Sequence, residues 1–353
     1  MSAVMGVNDA AAVTRAVPVE EASHVGDARR TAVLEADRAG MGETGRGRVA
    51  LAATELATNL ARHAKGGVLL VRPLPGDPPG VELIAVDRGP GMDLDRCLAD
   101  GFSTGGTSGE GLGAVRRIAD EFDGWSRPGA GTVLRARVGG ARAAPGAAQG
   151  AGPDVATLRV GVVCTAAPGE ERAGDSWAVD ARPGRLRLLV VDGLGHGAAA
   201  ADASAEAVRL FLAYPDPSPG EMLARLHDAL RPTRGAAVAV AEIVPGAAEV
   251  RWAGIGNIAA SLFAGESSRS LMSHSGIVGH QVRRVQELSY PWSPASTLVM
   301  ASDGVRTSWR LGDFPGLAAR HPALSAAVLH RDCLRGRDDA TVLVVRAAPA
   351  ATD

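Results

Sequence analysis

Apolar and polar positions follow two different rhythms along this chain, and a stretch with neither rhythm divides it in two. From Gly47 to Ala64 the large apolar residues Val49, Leu56 and Leu60 recur at helical spacing with alanines between them, which predicts a helix. Short apolar runs at Val68–Arg72 and Val81–Val86 stop at Pro73 and at Asp87-Arg88-Gly89, and read as strands. A second helix is expected over Leu112 to Phe122, and Thr132–Val138 alternates like a strand. This order predicts a mixed sheet covered on one face by helices. From Gly139 to Gly152 the chain reads GGARAAPGAAQGAG, without periodicity and without a large apolar residue. Such a segment cannot bury enough surface to offset its ordering entropy, so the boundary between two domains is expected there. Beyond it, Leu158–Cys164, Arg185–Val191, Ala236–Val244, Glu249–Gly254, Ala259–Phe263, Thr297–Ala301 and Thr341–Val345 are strand-like. Ala198 to Tyr214 and Pro219 to Leu230 are helical, so this half predicts a β-sandwich flanked by helices.

Composition narrows the chemistry. The 353 residues are 46% hydrophobic and 22% charged, as in globular proteins, and the net charge of −2 offers no general attraction to nucleic acid or acidic lipid. Aromatics are only 3%, too few for stacking platforms. Lys65 is the sole lysine and is followed by Gly66-Gly67, which excludes a Walker phosphate loop and a kinase strand lysine alike. Any nucleotide site must therefore do without a phosphate-binding lysine. Cys97, Cys164 and Cys333 form no CxxC pair or disulfide framework. No apolar run approaches the ~20 residues of a membrane span, and the segment around Asn8, Asp9, Glu20 and Glu21 is unlike a signal peptide. A cytoplasmic protein without a membrane or nucleic-acid partner is expected.

Three pieces of the first half carry candidate chemistry. Glu55 and Asn59 lie four apart on one helix face. Asp87-Arg88-Gly89-Pro90-Gly91-Met92 follows a strand, and Gly101-Phe102-Ser103-Thr104-Gly105-Gly106 leads to Gly109-Glu110-Gly111-Leu112-Gly113 at a helix start. A glycine-rich run before a helix leaves amides that point at an anion. Taken in this order, over about 130 residues, these pieces resemble the Bergerat-fold ATPases, which include histidine kinases and the anti-sigma and stress-module switch serine kinases. The resemblance implies an ATP site in which Asn59 holds Mg²⁺, Glu55 takes the proton of an incoming hydroxyl and Asp87 accepts from the adenine amino group. Gly89 and Gly91 would let the backbone approach the base, and Gly105, Gly106, Gly109, Gly111 and Gly113 would serve the phosphates. Thr132 stands where that family has a threonine near adenine, a place an ordinary strand threonine would also fill.

In the second half, acids recur beside strand ends. They are Gly174-Asp175, Asp192-Gly193-Leu194-Gly195-His196-Gly197, Asp303-Gly304 and Asp338-Asp339-Ala340-Thr341. Four such positions together suggest hard oxygen ligands for Mg²⁺ or Mn²⁺. The set resembles the metal-dependent PPM, or PP2C-type, serine/threonine phosphatases in their SpoIIE-like branch. Larger relatives have Trp-Tyr after the first motif, where this chain has Ser176-Trp177. By that resemblance Asp175, Asp192, the Gly193 carbonyl, Asp303 and Asp338 would hold two metals that activate a bridging water, with Asp339 supporting those ligands from behind or binding a third metal. His196 would protonate the leaving serine oxygen, or be a structural histidine in a glycine turn.

The expected fold class is α+β: an N-terminal Bergerat-fold α/β sandwich over 10–138, a flexible linker at 139–154, and a C-terminal PP2C-type α-β-β-α sandwich over 155–348. The resemblances imply a partner-switching regulator that phosphorylates and dephosphorylates serine on a STAS-domain antagonist or a stressosome-type scaffold, using ATP and Mg²⁺ in one domain and two Mn²⁺ or Mg²⁺ in the other. The rival reading keeps only the phosphatase and makes the first domain a non-catalytic ATP sensor or STAS-binding module.

Overall fold

A computed structural model describes residues 4–5, 13–64, 66–74, 76–98, 111–140, 155, 157–265 and 267–348. The chain forms two compact units. One holds Thr14–Arg142 together with the later segment Phe314–Arg320; the other holds the rest, including the first strand, β1 (Val4–Met5).

The first unit is a five-stranded sheet under a layer of helices. Its elements in order are β2 (Arg15–Val19), α1 (Val25–Arg38), α2 (Glu43–His63), β3 (Gly67–Leu74), β4 (Gly80–Asp87), α3 (Leu94–Leu98), α4 (Gly111–Ile118), β5 (Glu121–Arg127) and β6 (Gly131–Gly139). The strand order is β2-β3-β4-β6-β5 and each neighbouring pair is antiparallel, so the expected mixed sheet is corrected to an antiparallel one. A second correction concerns Phe122. The helix expected to reach it stops at Ile118, and Phe122 lies in β5 opposite Ala136. The core face joins Ala28, Ala32 and Ala36 of α1 and Val49, Leu56 and Leu60 of α2 to Leu69, Val71, Leu83 and Leu134 of the sheet. Alanines along α1 let it lie close to its neighbours. On the strands the residues next to that face are often charged: Arg135 contacts Glu82 at 2.6 Å and Glu121 at 3.0 Å, each with the pairing a buried charge needs. Within the same unit the indole N–H of Trp125 donates to the Pro315 carbonyl at 3.0 Å.

The second unit is a sandwich of two antiparallel sheets. Its further strands are β7 (Leu158–Thr165), β8 (Asp175–Arg182), β9 (Arg185–Gly193), β10 (Ala236–Val244), β11 (Glu249–Ile255), β12 (Ala259–Ala264), β13 (Ser267–Leu271), β14 (Gly276–Ile277), β15 (Gln281–Val282), β16 (Leu288–Pro291), β17 (Ser296–Ala301) and β18 (Ala340–Ala347). Its helices are α5 (Ala198–Ala213), α6 (Pro219–Ala229) and α7 (Pro322–Cys333). One sheet runs β1-β8-β9-β10-β11-β16, the other β13-β12-β17-β18-β7. Trp177, Leu188, Val190 and Trp252 from the first sheet and Val162, Leu298, Met300 and Leu343 from the second form one core between them. Phe211, Met222 and Leu226 of α5 and α6 pack on the outer side of the first sheet, against Leu189, Val191 and Val238. On the outer side of the second sheet α7 rests so close that a β-carbon on Gly161 would lie 2.0 Å from the Ala323 nitrogen. The order of layers is α-β-β-α. Among the described residues no helix is long and apolar enough to cross a membrane.

Candidate active sites

In the first unit, α2 carries Glu55 and Asn59 on one face, and the start of α4 comes to that face. A β-carbon added at Gly111 would lie 3.3 Å from Glu55 Oε2 and 3.8 Å from Asn59 Oδ1. A larger residue there would crowd both side chains. The Asn59 Nδ2 is buried without a hydrogen-bond partner among the described residues. A buried donor left idle is what a pocket made for a polar ligand contains. Asp87 ends β4 and is 8% exposed; its Oδ1 accepts from the backbone N–H of Gly89 at 2.7 Å and of Thr132 at 3.1 Å. Gly91 has φ of +76°, and a side chain there would run into the Arg127 carbonyl. The Thr132 hydroxyl is 2.9 Å from Ser126 Oγ, which also accepts from the Met92 N–H at 2.8 Å. Ser126 thus ties the Asp87 turn to β6, a role absent from the expectations. Gly113 is buried in α4, while Gly105, Gly106 and Gly109 lie outside the described residues.

In the second unit the strand directions gather the acids. Because β8 and β9 are antiparallel, the first residue of β8, Asp175, stands opposite Asp192 near the end of β9. By the same logic the end of β17 meets the start of β18, with Ala301 opposite Val342, so Asp303 and the Asp338-Asp339 pair emerge together. The two sheets are clamped at this end by Ser302, whose Oγ donates to Asp175 Oδ2 at 2.6 Å and accepts from the Thr341 N–H at 2.9 Å. Glycine is required beside the acids. A β-carbon on Gly304 would lie 1.9 Å from the Asp339 carbonyl oxygen, and one on Gly193 would lie 2.3 Å from that of Ala200.

The electrostatics of this end are those of crowded anions. Burial first, then the charges of Asp175, Asp303, Asp338 and Asp339, push the Asp192 carboxyl up to about 9. Burial raises Asp175 to about 7, against the lowering effect of its bond from Ser302. Asp303 is also raised, by burial and then by Asp338, while Arg335 and the 2.7 Å bond from Asn257 Nδ2 oppose the shift. Among the described residues, however, no three His, Cys, Asp or Glu side chains converge on one point at ligating range. Asp339 differs from the others. Its Oδ1 accepts from the Ala167 N–H and its Oδ2 from the Gly174 N–H, both at 2.8 Å, so it anchors the loop that leads into Asp175. His196 is exposed and its Nδ1 is 2.8 Å from Glu170 Oε1. Sequence reasoning missed Glu170, Asn257 and Ser302. Only Ser302 had a usable signal, its place directly before Asp303-Gly304.

Glu55 and Asn59 facing the start of α4 in one unit, and a sandwich with acids at its strand ends in the other, define a protein of ATPase and phosphatase folds. Residues 17–138 match the histidine kinase-like ATPase domain family, and residues 182–348 match the Stage II sporulation protein E (SpoIIE) family. Over 99 residues the chain is 38% identical to the serine/threonine-protein kinase RsbT of Bacillus subtilis (strain 168), covering 28% of this chain and 74% of that protein. A solved structure described as "The bacterial stressosome: a modular system that has been adapted to control secondary messenger signaling" aligns with a TM-score of 0.51 at 25% identity, over 54% of this chain and 99% of its own. RsbX in complex with magnesium aligns at 20% identity and a TM-score of 0.49, over 54% of this chain and 96% of RsbX. The chain belongs to the RsbT family of histidine kinase-like ATPase domains through its first unit, and its second unit carries a SpoIIE domain.

Proposed function

We propose that this protein both phosphorylates and dephosphorylates serine on one partner protein, a STAS-domain antagonist or a stressosome-type scaffold. The observation that carries this reading is the meeting of Asp175, Asp192, Asp303 and Asp338 at one end of the sandwich, in a chain that also holds Asn59 and Glu55 against the start of α4. Anions forced together in this way are relieved by divalent cations, and bound Mn²⁺ or Mg²⁺ would supply an activated water and neutralise the phosphoryl charge. Asp175, Asp192, the Gly193 carbonyl, Asp303 and Asp338 would hold those ions, with Ser302 and Asn257 fixing two of the carboxylates. In the first unit Asp87 would accept from the adenine amino group, its other contacts holding Gly89 and β6 in place. Asn59 would hold the Mg²⁺ of Mg-ATP, and Glu55, one turn earlier, would take the proton of the partner's serine hydroxyl. The 38% identity to a serine/threonine-protein kinase supports transfer rather than ATP sensing alone. A cytoplasmic site of action is part of the proposal.

The test uses the full chain and a purified STAS-domain protein. Asp192→Asn should leave a kinase that loads serine phosphate from ATP, and Glu55→Ala a phosphatase that removes it and is silenced by EDTA. Phosphate release at the wild-type rate in excess chelator would overturn the metal-dependent half.

A further inference from the structure

The loop between β9 and α5 is shaped around His196. Gly195 and Gly197 on either side have φ of +87° and +77°, a backbone that side-chain-bearing residues rarely adopt. The turn they make directs the imidazole to Glu170, a residue 26 positions earlier, with Nδ1 at 2.8 Å from Oε1. The other oxygen of Glu170 lies beside the same turn, since a β-carbon built on Gly197 would come 3.3 Å from Oε2. Glu170 sits near the acids, because its charge contributes to the raised pKa of Asp339. A carboxylate that accepts from Nδ1–H fixes the orientation of the ring, so that in the doubly protonated imidazolium Nε2–H is the proton free to be delivered.

We infer that Glu170 is a positioning residue for the phosphatase reaction: it holds His196 so that Nε2 protonates the departing serine oxygen. This rests on the phosphatase reading above. In the step, a water oxygen bonds to phosphorus while the bond from phosphorus to the serine oxygen breaks, its electron pair staying on that oxygen. The proton of His196 Nε2 passes to the same oxygen, and a proton of the attacking water returns to the imidazole through solvent. The phosphoryl group leaves as inorganic phosphate.

A carboxylate beside the first turn of α5 could instead act only on the helix, by complementing its positive N-terminal end. The two roles separate by leaving group. A serine oxygen needs a proton to depart, whereas p-nitrophenol is acidic enough to leave as its anion. The full-length protein with saturating Mn²⁺ is assayed on a synthetic phosphoserine peptide and on p-nitrophenyl phosphate, for wild type, Glu170→Gln, His196→Asn and the double variant, with melting curves alongside. The expected result is a fall of about tenfold or more in kcat/KM on the peptide for all three variants, with p-nitrophenyl phosphate held within about twofold. The double variant should be no worse than His196→Asn alone. Equal loss on both substrates, no loss on either, or a further loss when Glu170→Gln is added to His196→Asn would overturn the inference. A wild-type protein that hydrolyses neither substrate would overturn the phosphatase reading beneath it.

Discussion

Replacing Asp192 with asparagine should make the metal-free protein more stable at alkaline pH while removing its phosphatase activity. In the folded chain without metal, the Asp192 carboxyl is raised to about 9 by burial and its acidic neighbours, whereas in the unfolded chain it titrates at about 3.9. A folded-state pKa above the unfolded one gives stability that is complete below the unfolded value and is lost as pH rises toward the folded value. Between pH 6 and pH 8 the folded protein keeps a proton that the unfolded chain has lost. Each pH unit then costs about 1.4 kcal/mol, or roughly 3 kcal/mol over the interval. For a unit of this size that is a drop of roughly 6–12 °C in melting temperature. Asparagine has no proton to retain, so most of the slope should vanish and the variant should melt above wild type at pH 8. Scanning calorimetry of both proteins in EDTA at pH 6, 7 and 8 reads this directly. A wild-type melting temperature indifferent to pH, or an Asp192→Asn protein with the same slope, would refute the electrostatic reasoning.

Other substitutions probe separate parts of the account. Asn59→Ala should abolish Mg-ATP binding in isothermal calorimetry, since the sequence has no phosphate-loop lysine motif to hold phosphates instead, while Glu55→Ala should bind ATP with wild-type affinity and fail to transfer phosphate. Gly304→Ala should destabilise the second unit by about 1–3 kcal/mol or more in denaturant titrations, because its methyl group would overlap the Asp339 carbonyl. Asp339→Ala should free the amides of Ala167 and Gly174, and faster hydrogen exchange over residues 167–174 should accompany the loss of phosphatase turnover.

Much of this molecule was legible from the chain because its large apolar residues are periodic where they matter. Val49, Leu56 and Leu60 mark α2, and the uninterrupted run Leu188–Val191 before Asp192 marks β9 as a buried strand with its acid at the end. What escaped notice did so for physical reasons. Helix α1 offers Ala28, Ala32 and Ala36 to the core, a face too small to stand out. Helix α7 is buried almost all round, so it has no polar side to reveal its period. Strand β8 is interrupted by Asp180, a fully buried acid paired with Arg182 and Arg187, which breaks the alternation expected of a strand. In the site, the acids announced themselves by their glycines, since Gly193 and Gly304 have no room for a side chain. Glu170 and Asn257 could not be found in this way. They lie far in sequence from His196 and Asp303, and only the sandwich brings them within hydrogen-bonding range.

The central claim is that two opposed sites in one chain act on the same serine. The most direct measurement follows the phosphorylation of a purified STAS-domain partner by mass spectrometry, residue by residue, with Mg-ATP and Mn²⁺ present. With Asp192→Asn, one serine should become fully phosphorylated; with Glu55→Ala, that same serine, loaded beforehand, should be cleared. An Asp192→Asn protein that binds ATP yet leaves every serine of the partner unmodified would contradict the claim.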